Sequence, residues 1–310
     1  MFFPGFHADV EGLATCKECS AGTECLRGTI YPPPCPQGYY CLRGSENSGA
    51  KQACPKGTFG NRTGLTTQSE CSYCLEGHYC GTAALTNVTG PCNAGYFCLK
   101  GAEVSTPPDD SRTPKWFGEC PEGGFYCERG VSQPTPCPPG TFAPGNVGRL
   151  ESKDDCTQCT AGSYCELGDQ DVVTGPCDAG YFCLEGSHTA RPNASYGGIC
   201  PPGFHCPAGS SWPEPCDPGT YNNASGQGSC QDCPRGFYCS GNSTTPLECP
   251  AGFYCPRNTR YATDNPCDAG TFNNLTGMSA VSACVQCTAG FYCDRQGQLT
   301  DENLCTNLPC

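Results

Sequence analysis

Residues 54–80 read CPKGTFGNRTGLTTQSECSYCLEGHYC, and the spacing of their cysteines decides the class of the whole chain. The stretch opens on Cys-Pro-x-Gly-Thr-aromatic at Cys54 and ends on a C-x2-C-x5-C triplet at Cys71, Cys74 and Cys80. The triplet recurs at Cys16/Cys19/Cys25, Cys156/Cys159/Cys165, Cys230/Cys233/Cys239 and Cys284/Cys287/Cys293. A second pair follows each one, at Cys35/Cys41, Cys92/Cys98, Cys177/Cys183, Cys249/Cys255 and Cys305/Cys310. Related openings read CPPGTF at Cys137, CDPGTY at Cys216 and CDAGTF at Cys267. Self-similarity at fixed spacing is the signature of a repeat architecture.

Framed on the Gly-Thr-aromatic opening, the chain divides into five repeats: 1–53, 54–136, 137–215, 216–266 and 267–310. The second and third are lengthened by extra pairs, Cys120/Cys127 and Cys200/Cys206. The first has Phe2 where its opening cysteine should stand, so the total of 33 cysteines is odd. On this frame Cys16 has no partner inside the chain and is expected to be unpaired or bonded to another chain. The array is expected to continue beyond the sequence.

Composition explains why staples are needed. The chain has 33 cysteines in 310 residues, a density that points to an oxidising compartment and a disulfide framework. Leu, Ile, Val and Phe number only 40, against 71 Gly and Pro, too few to offset chain entropy by apolar burial. With 30 acidic and 17 basic side chains, the net charge of −13 argues against nucleic acid or an anionic membrane as partner. No stretch approaches the length of a membrane-spanning helix. The amino terminus lacks the basic and apolar regions of an intact secretory signal, so a secreted chain is expected to be a fragment or processed.

In each Cys-Pro-x-Gly the proline suits the second position of a type I turn and the glycine its fourth. The aromatic residues that follow, such as Tyr39-Tyr40 and Phe237-Tyr238, suit short strands whose rings pack on a neighbouring disulfide. No helical periodicity survives between the Gly, Pro and Cys positions. The expected fold is therefore a set of small disulfide-rich tandem repeats, built from short β-hairpins and loops with almost no helix, forming an elongated rod without a large hydrophobic core.

Segments 54–80 and 216–239 (CDPGTYNNASGQGSCQDCPRGFYC) resemble the ephrin-receptor-like cysteine-rich repeat, which is related to the growth-factor-receptor and tumour-necrosis-factor-receptor modules. Such EGF-like repeats occur in receptor ectodomains, extracellular matrix, protist surface proteins and flagellar-hair (mastigoneme) proteins. For the second repeat the resemblance implies the pairing Cys54–Cys71, Cys74–Cys92 and Cys80–Cys98. The first would close a loop worth roughly 3 kcal/mol of chain entropy. Six cysteines allow 15 connectivities, and the spacing alone leaves them open.

Six Asn-x-Ser/Thr sequons, at Asn61, Asn87, Asn193, Asn223, Asn242 and Asn274, are candidates for N-linked glycan. Asn61, Asn223 and Asn274 share one position, seven residues after an opening cysteine. The Thr-Pro sites at Thr106, Thr113 and Thr135, open in principle to O-glycans, are better read as loop residues. No metal or other cofactor is expected: the C-x2-C pairs always continue to a third cysteine, unlike zinc knuckles, and no alternating-acid calcium loop is present. The four histidines are scattered, and His78 and His205 stand where other repeats place aromatic rings. No nucleophile–base or paired-carboxylate constellation is legible, so no catalytic site is expected.

These features point to a non-enzymatic extracellular structural glycoprotein, a repeat segment of a filament, cell coat or flagellar hair. Its expected partners are copies of itself and its own N-linked glycans, with no nucleic acid and no membrane insertion in this segment. The alternative is a ligand-binding receptor ectodomain, for which Trp116-Phe117 and Trp212 are the candidate contact residues. A secreted inhibitor would more often be one compact module.

Overall fold

The computed structural model describes residues 5–44, 51–106, 117–193, 195–301 and 303–304. Among them there is no α-helix. Strands of two or three residues pair as antiparallel hairpins, and the only helical turns are 3-10 turns at Gln68–Glu70, Lys153–Asp155 and Val281–Ala283. The chain forms two compact units. One comprises Met1–Pro138, Phe142–Thr157 and Gly168–Val172; the other comprises Pro139–Thr141, Gln158–Leu167 and Val173–Cys310.

The building element is a single hairpin, Cys-x-x-Gly-x-aromatic-Cys, finer than the repeats read from the sequence. Its turn differs from the expected type I. The closing bond runs from Thr58 N to Pro55 O (3.1 Å), and likewise from Tyr39 to Pro36, His78 to Leu75 and Phe237 to Pro234. The proline is thus the first residue of the turn and the glycine the third. Gly57 has φ +77° and Gly236 +84°, the left-handed conformation a type II turn requires at that position. The threonine of Gly-Thr-aromatic reinforces the same turn: the Thr58 hydroxyl donates to Pro55 O at 2.7 Å and that of Thr271 to Asp268 O at 2.7 Å.

Successive hairpins are joined by one backbone scheme. In the first unit, Gly77 N donates to Cys98 O (2.8 Å) and Cys92 N donates back to Gly77 O (2.9 Å). The turn after the second hairpin closes the joint, with Gly101 N on Cys74 O and Cys80 N on Ala102 O, both 2.9 Å. In the second unit the same four bonds link Gly236 to Cys255, Cys249 to Gly236, Asn258 to Cys233 and Cys239 to Thr259, at 2.8–3.0 Å. Backbone groups that two-residue strands leave unpaired are satisfied by the next hairpin in line.

The core is a series of small clusters in which an aromatic ring of one hairpin lies on the disulfide of the next. Tyr40 packs with Cys54, Cys71 and Leu65; Phe59 with Cys74 and Cys80; Tyr79 with Cys92 and Cys98; and Tyr126 with Cys137 and Cys156. A buried ring contributes about 1.5–3 kcal/mol, so each cluster is weak alone and gains from its covalent floor.

Fifteen disulfides close the described hairpins. Cys54–Cys71 is present, but the crossed links Cys74–Cys92 and Cys80–Cys98 are replaced by Cys74–Cys80 and Cys92–Cys98. The reason is local. A type II turn folds Cys74 and Cys80 back on each other, with Cα atoms 5.8 Å apart, within bridging range. Cys92 instead presents its backbone to Gly77. The extra pairs bond within their own hairpins, Cys120–Cys127 and Cys200–Cys206. Four hairpins lack their closing cysteine and have Gly60, Ala143, Asn222 or Asn273 there. In these the opening cysteine reaches 14 to 19 residues ahead, as in Cys216–Cys230 and Cys137–Cys156.

Candidate glycan-bearing and cysteine sites

Three of the four hairpins without a closing cysteine carry the regular sequons. Asn222 and Asn273 occupy the missing cysteine's place and are buried, while Asn223 and Asn274, next in sequence, are exposed. The Asn222 amide donates to Phe204 O (2.9 Å) and Ser229 O (3.2 Å). The Asn273 amide donates to Phe253 O (3.1 Å) and Leu275 O (3.0 Å), and its oxygen accepts from Leu275 N (3.0 Å). An inward asparagine thus fixes the strand so that its successor faces out. Gly60 takes the same buried position, without a side chain, beside exposed Asn61. The sequence reading missed the inward pair; the doubled asparagines of TYNNAS and TFNNLT were its signal.

The other three sequon asparagines are also exposed. Asn87 accepts from Val88 N at 2.8 Å. Asn242 stands at φ +61° in the turn that donates its N–H to Cys216 O, where most hairpins place glycine. Asn193 lines a groove with Tyr181, Phe182 and Ile199.

Cys16 is partly exposed and the one described cysteine without a disulfide. Its position in the repeat is that of Cys71, Cys156, Cys230 and Cys284, each bonded to an opening cysteine. Phe2, at the corresponding opening position, lies outside the described residues, as do Cys305 and Cys310. Cys16 faces a shallow groove shared with Val10, Leu13 and Ile30.

Two clusters combine a histidine with two sulfurs, His7 with Cys19 and Cys25, and His205 with Cys216 and Cys230. Both sulfur pairs are disulfides, so neither offers the thiolates that zinc needs. His78 and His205 lie half-buried in two-residue strands, His78–Tyr79 and Phe204–His205. Among the described residues no helix is long and apolar enough to cross a membrane.

Two carboxylates that precede a cysteine act as loop latches. Glu70 accepts from Thr66 N (2.7 Å) and from the Thr66 hydroxyl (2.9 Å). Asp155 accepts from Ser152 N (2.8 Å) and Glu151 N (3.0 Å), completing a capping box on the turn at Lys153–Asp155. These backbone donors hold both carboxyls below their ordinary values.

Of the two tryptophans, Trp116 lies outside the described residues. Trp212 is 66% exposed and leans on Phe182, ring centroids 5.8 Å apart.

No protein-family model matches the chain. Among curated proteins it is similar to protein lin-12 of Caenorhabditis elegans, 29% identical over 212 residues, covering 56% of this chain and 14% of that protein. It is also similar to human laminin subunit gamma-1, 28% identical over 245 residues, covering 72% of this chain and 12% of that protein. The chain therefore spans about a seventh or less of the length of these relatives. With its disulfides, which require an oxidising compartment, these likenesses class it coarsely. It is an extracellular, EGF-like cysteine-rich module.

Proposed function

We propose that this chain is a non-enzymatic structural segment of an extracellular filament, cell coat or flagellar hair, built on ephrin-receptor-like repeats, carrying N-linked glycan and contacting copies of itself. The observation that carries this reading is the joint. The same four backbone bonds recur between successive hairpins within each unit, so each hairpin is fixed chiefly by its neighbours in sequence. Stability in such arrays grows by adding like elements, which suits a polymeric building block. The exposure of all six sequon asparagines supports a glycan coat. An exposed Trp212 is the observation that favours the alternative, a ligand-binding ectodomain.

The test is self-association of the glycosylated chain secreted from eukaryotic cells, by sedimentation and electron microscopy. Filaments with helical order and chain-to-chain contacts above about 1,000 Å² support the reading. A chain that stays monomeric at the highest concentrations reached, or a closed two-fold dimer, overturns it.

A further inference from the structure

The strands Tyr181–Cys183 and Gly197–Ile199 pair antiparallel, with Phe182 opposite Gly198. Gly198 has no side chain, and the Phe182 ring lies over it, within ordinary contact distance of where a β-carbon would stand. Trp212 flanks the same ring at a 58° tilt, and Ile199 is 51% exposed. The result is an aromatic and aliphatic face open to solvent.

The groove on this face, about 540 Å³, is within the size range of small-molecule sites. Its rim is polar and held in place: the Arg191 guanidinium donates to Asp178 at 2.7 Å and lies over the Tyr181 ring at 5.9 Å. Flat rings beside fixed hydrogen-bonding groups suit a sugar, whose C–H face is apolar and whose edge is hydroxyl. Asn193, the first residue of a sequon, is itself part of the lining.

We propose that this groove is the seat of the N-linked glycan on Asn193, whose innermost N-acetylhexosamine lies against Phe182 and the neighbouring Trp212. Tethering makes weak contacts sufficient, because a linked ligand is present at an effective concentration in the millimolar range. Attachment forms the bond between Asn193 Nδ2 and the sugar's anomeric carbon. It breaks that carbon's bond to an activated diphosphate donor of the secretory pathway and releases an amide proton. This seat rests on the glycoprotein reading above but singles out one sugar that covers protein surface. The sugars of Asn61, Asn223 and Asn274 grow from positions that do not line the groove.

The experiment is timed release of sugars from the native, secreted chain by peptide N-glycosidase, followed site by site by mass spectrometry. The expected result is release at Asn193 about tenfold or more slower than at Asn61, Asn223 and Asn274. Trp212→Ala, at an exposed position, should raise the Asn193 rate to that of the other sites, and Ile199→Ser should raise it in part. Equal rates in the unaltered chain, or slow release that Trp212→Ala leaves unchanged, overturn the proposal. Bare Asn193 with sugar on the other three overturns this seat alone and returns the groove to an external ligand. Bare asparagine at every site overturns the glycoprotein reading as well.

Discussion

Gly162 faces the carbonyl oxygen of Gly209 so closely that a β-carbon on Gly162 would stand 2.5 Å from it. Gly162 is the turn glycine of the Cys159–Cys165 hairpin, and Gly209 belongs to the turn that follows the Cys200–Cys206 hairpin, two further along. Both have positive φ, +85° and +84°. Gly162→Ala should therefore cost roughly 2–5 kcal/mol, adding left-handed strain to a backbone collision. Gly148→Ala is the control: φ is +79° with nothing within 4 Å, so only about 1 kcal/mol of strain applies. Denaturant unfolding of the oxidised variants measures both. Equal losses would show that the close approach carries no energy.

The disulfide pattern predicts which staples matter. Peptide mapping without reduction should recover Cys74–Cys80 and Cys92–Cys98 as loops within single peptides, and Cys54–Cys71 as a longer link. Replacing both cysteines of Cys54–Cys71, a separation of 17, should cost about 3 kcal/mol. Removing Cys74–Cys80, a separation of 6, should cost about 2 kcal/mol on the same loop-entropy argument. Recovery of a Cys74–Cys92 peptide would restore the crossed pairing.

The class of fold was readable from the chain because cysteine spacing and low aliphatic content constrain it directly. The details that escaped are backbone properties. The turn was misplaced by one residue because Cys-Pro-x-Gly fits two frames, and the frame is chosen by glycine's ability to take positive φ at Gly57. The crossed pairing came with a family resemblance, whereas the observed pairing follows from the six-residue interval between Cys74 and Cys80 across one turn. The hydrogen bonds between Gly77 and Cys98 leave no mark in sequence beyond a glycine three residues after each opening cysteine. The aromatic face was only half legible. Trp212 was noticed, but its neighbour Phe182 looked like any other strand aromatic until pairing set it over Gly198.

Acid should loosen the loops latched by Glu70 and Asp155. Each carboxyl is held below its ordinary value chiefly by a backbone N–H, from Thr66 and Ser152 respectively. A folded-state value lower than the unfolded one gives stabilisation that is fully present above the unfolded value. It is lost as pH falls through the folded value. Stability should thus be level from neutral pH down to about 5 and decline below about 4. Carbon-detected NMR titration of the two carboxyls, with urea unfolding across pH, checks this. Glu70→Gln and Asp155→Asn should flatten the acid limb, and a midpoint at or above the ordinary value for either group would refute the latch.

The two inward asparagines should respond differently to the same substitution. The side-chain oxygen of Asn273 accepts a bond from Leu275 N, whereas the buried oxygen of Asn222 has no protein partner. Both amide nitrogens donate to carbonyls, to Phe253 and Leu275 in one case and to Phe204 and Ser229 in the other. Alanine at either place abandons two carbonyl oxygens. At Asn273 it also strands the Leu275 N–H, while at Asn222 it removes a polar atom that was desolvated without compensation. Asn273→Ala should cost roughly 0.5–1.5 kcal/mol more than Asn222→Ala, the usual net contribution of one more hydrogen bond. Ala143 fills the same place naturally, so alanine itself fits there. Hydrogen exchange at Leu275 offers a second readout, since its amide should lose protection in Asn273→Ala. Equal losses in the two variants would mean that the Asn222 oxygen has a solvent partner doing the work of Leu275 N.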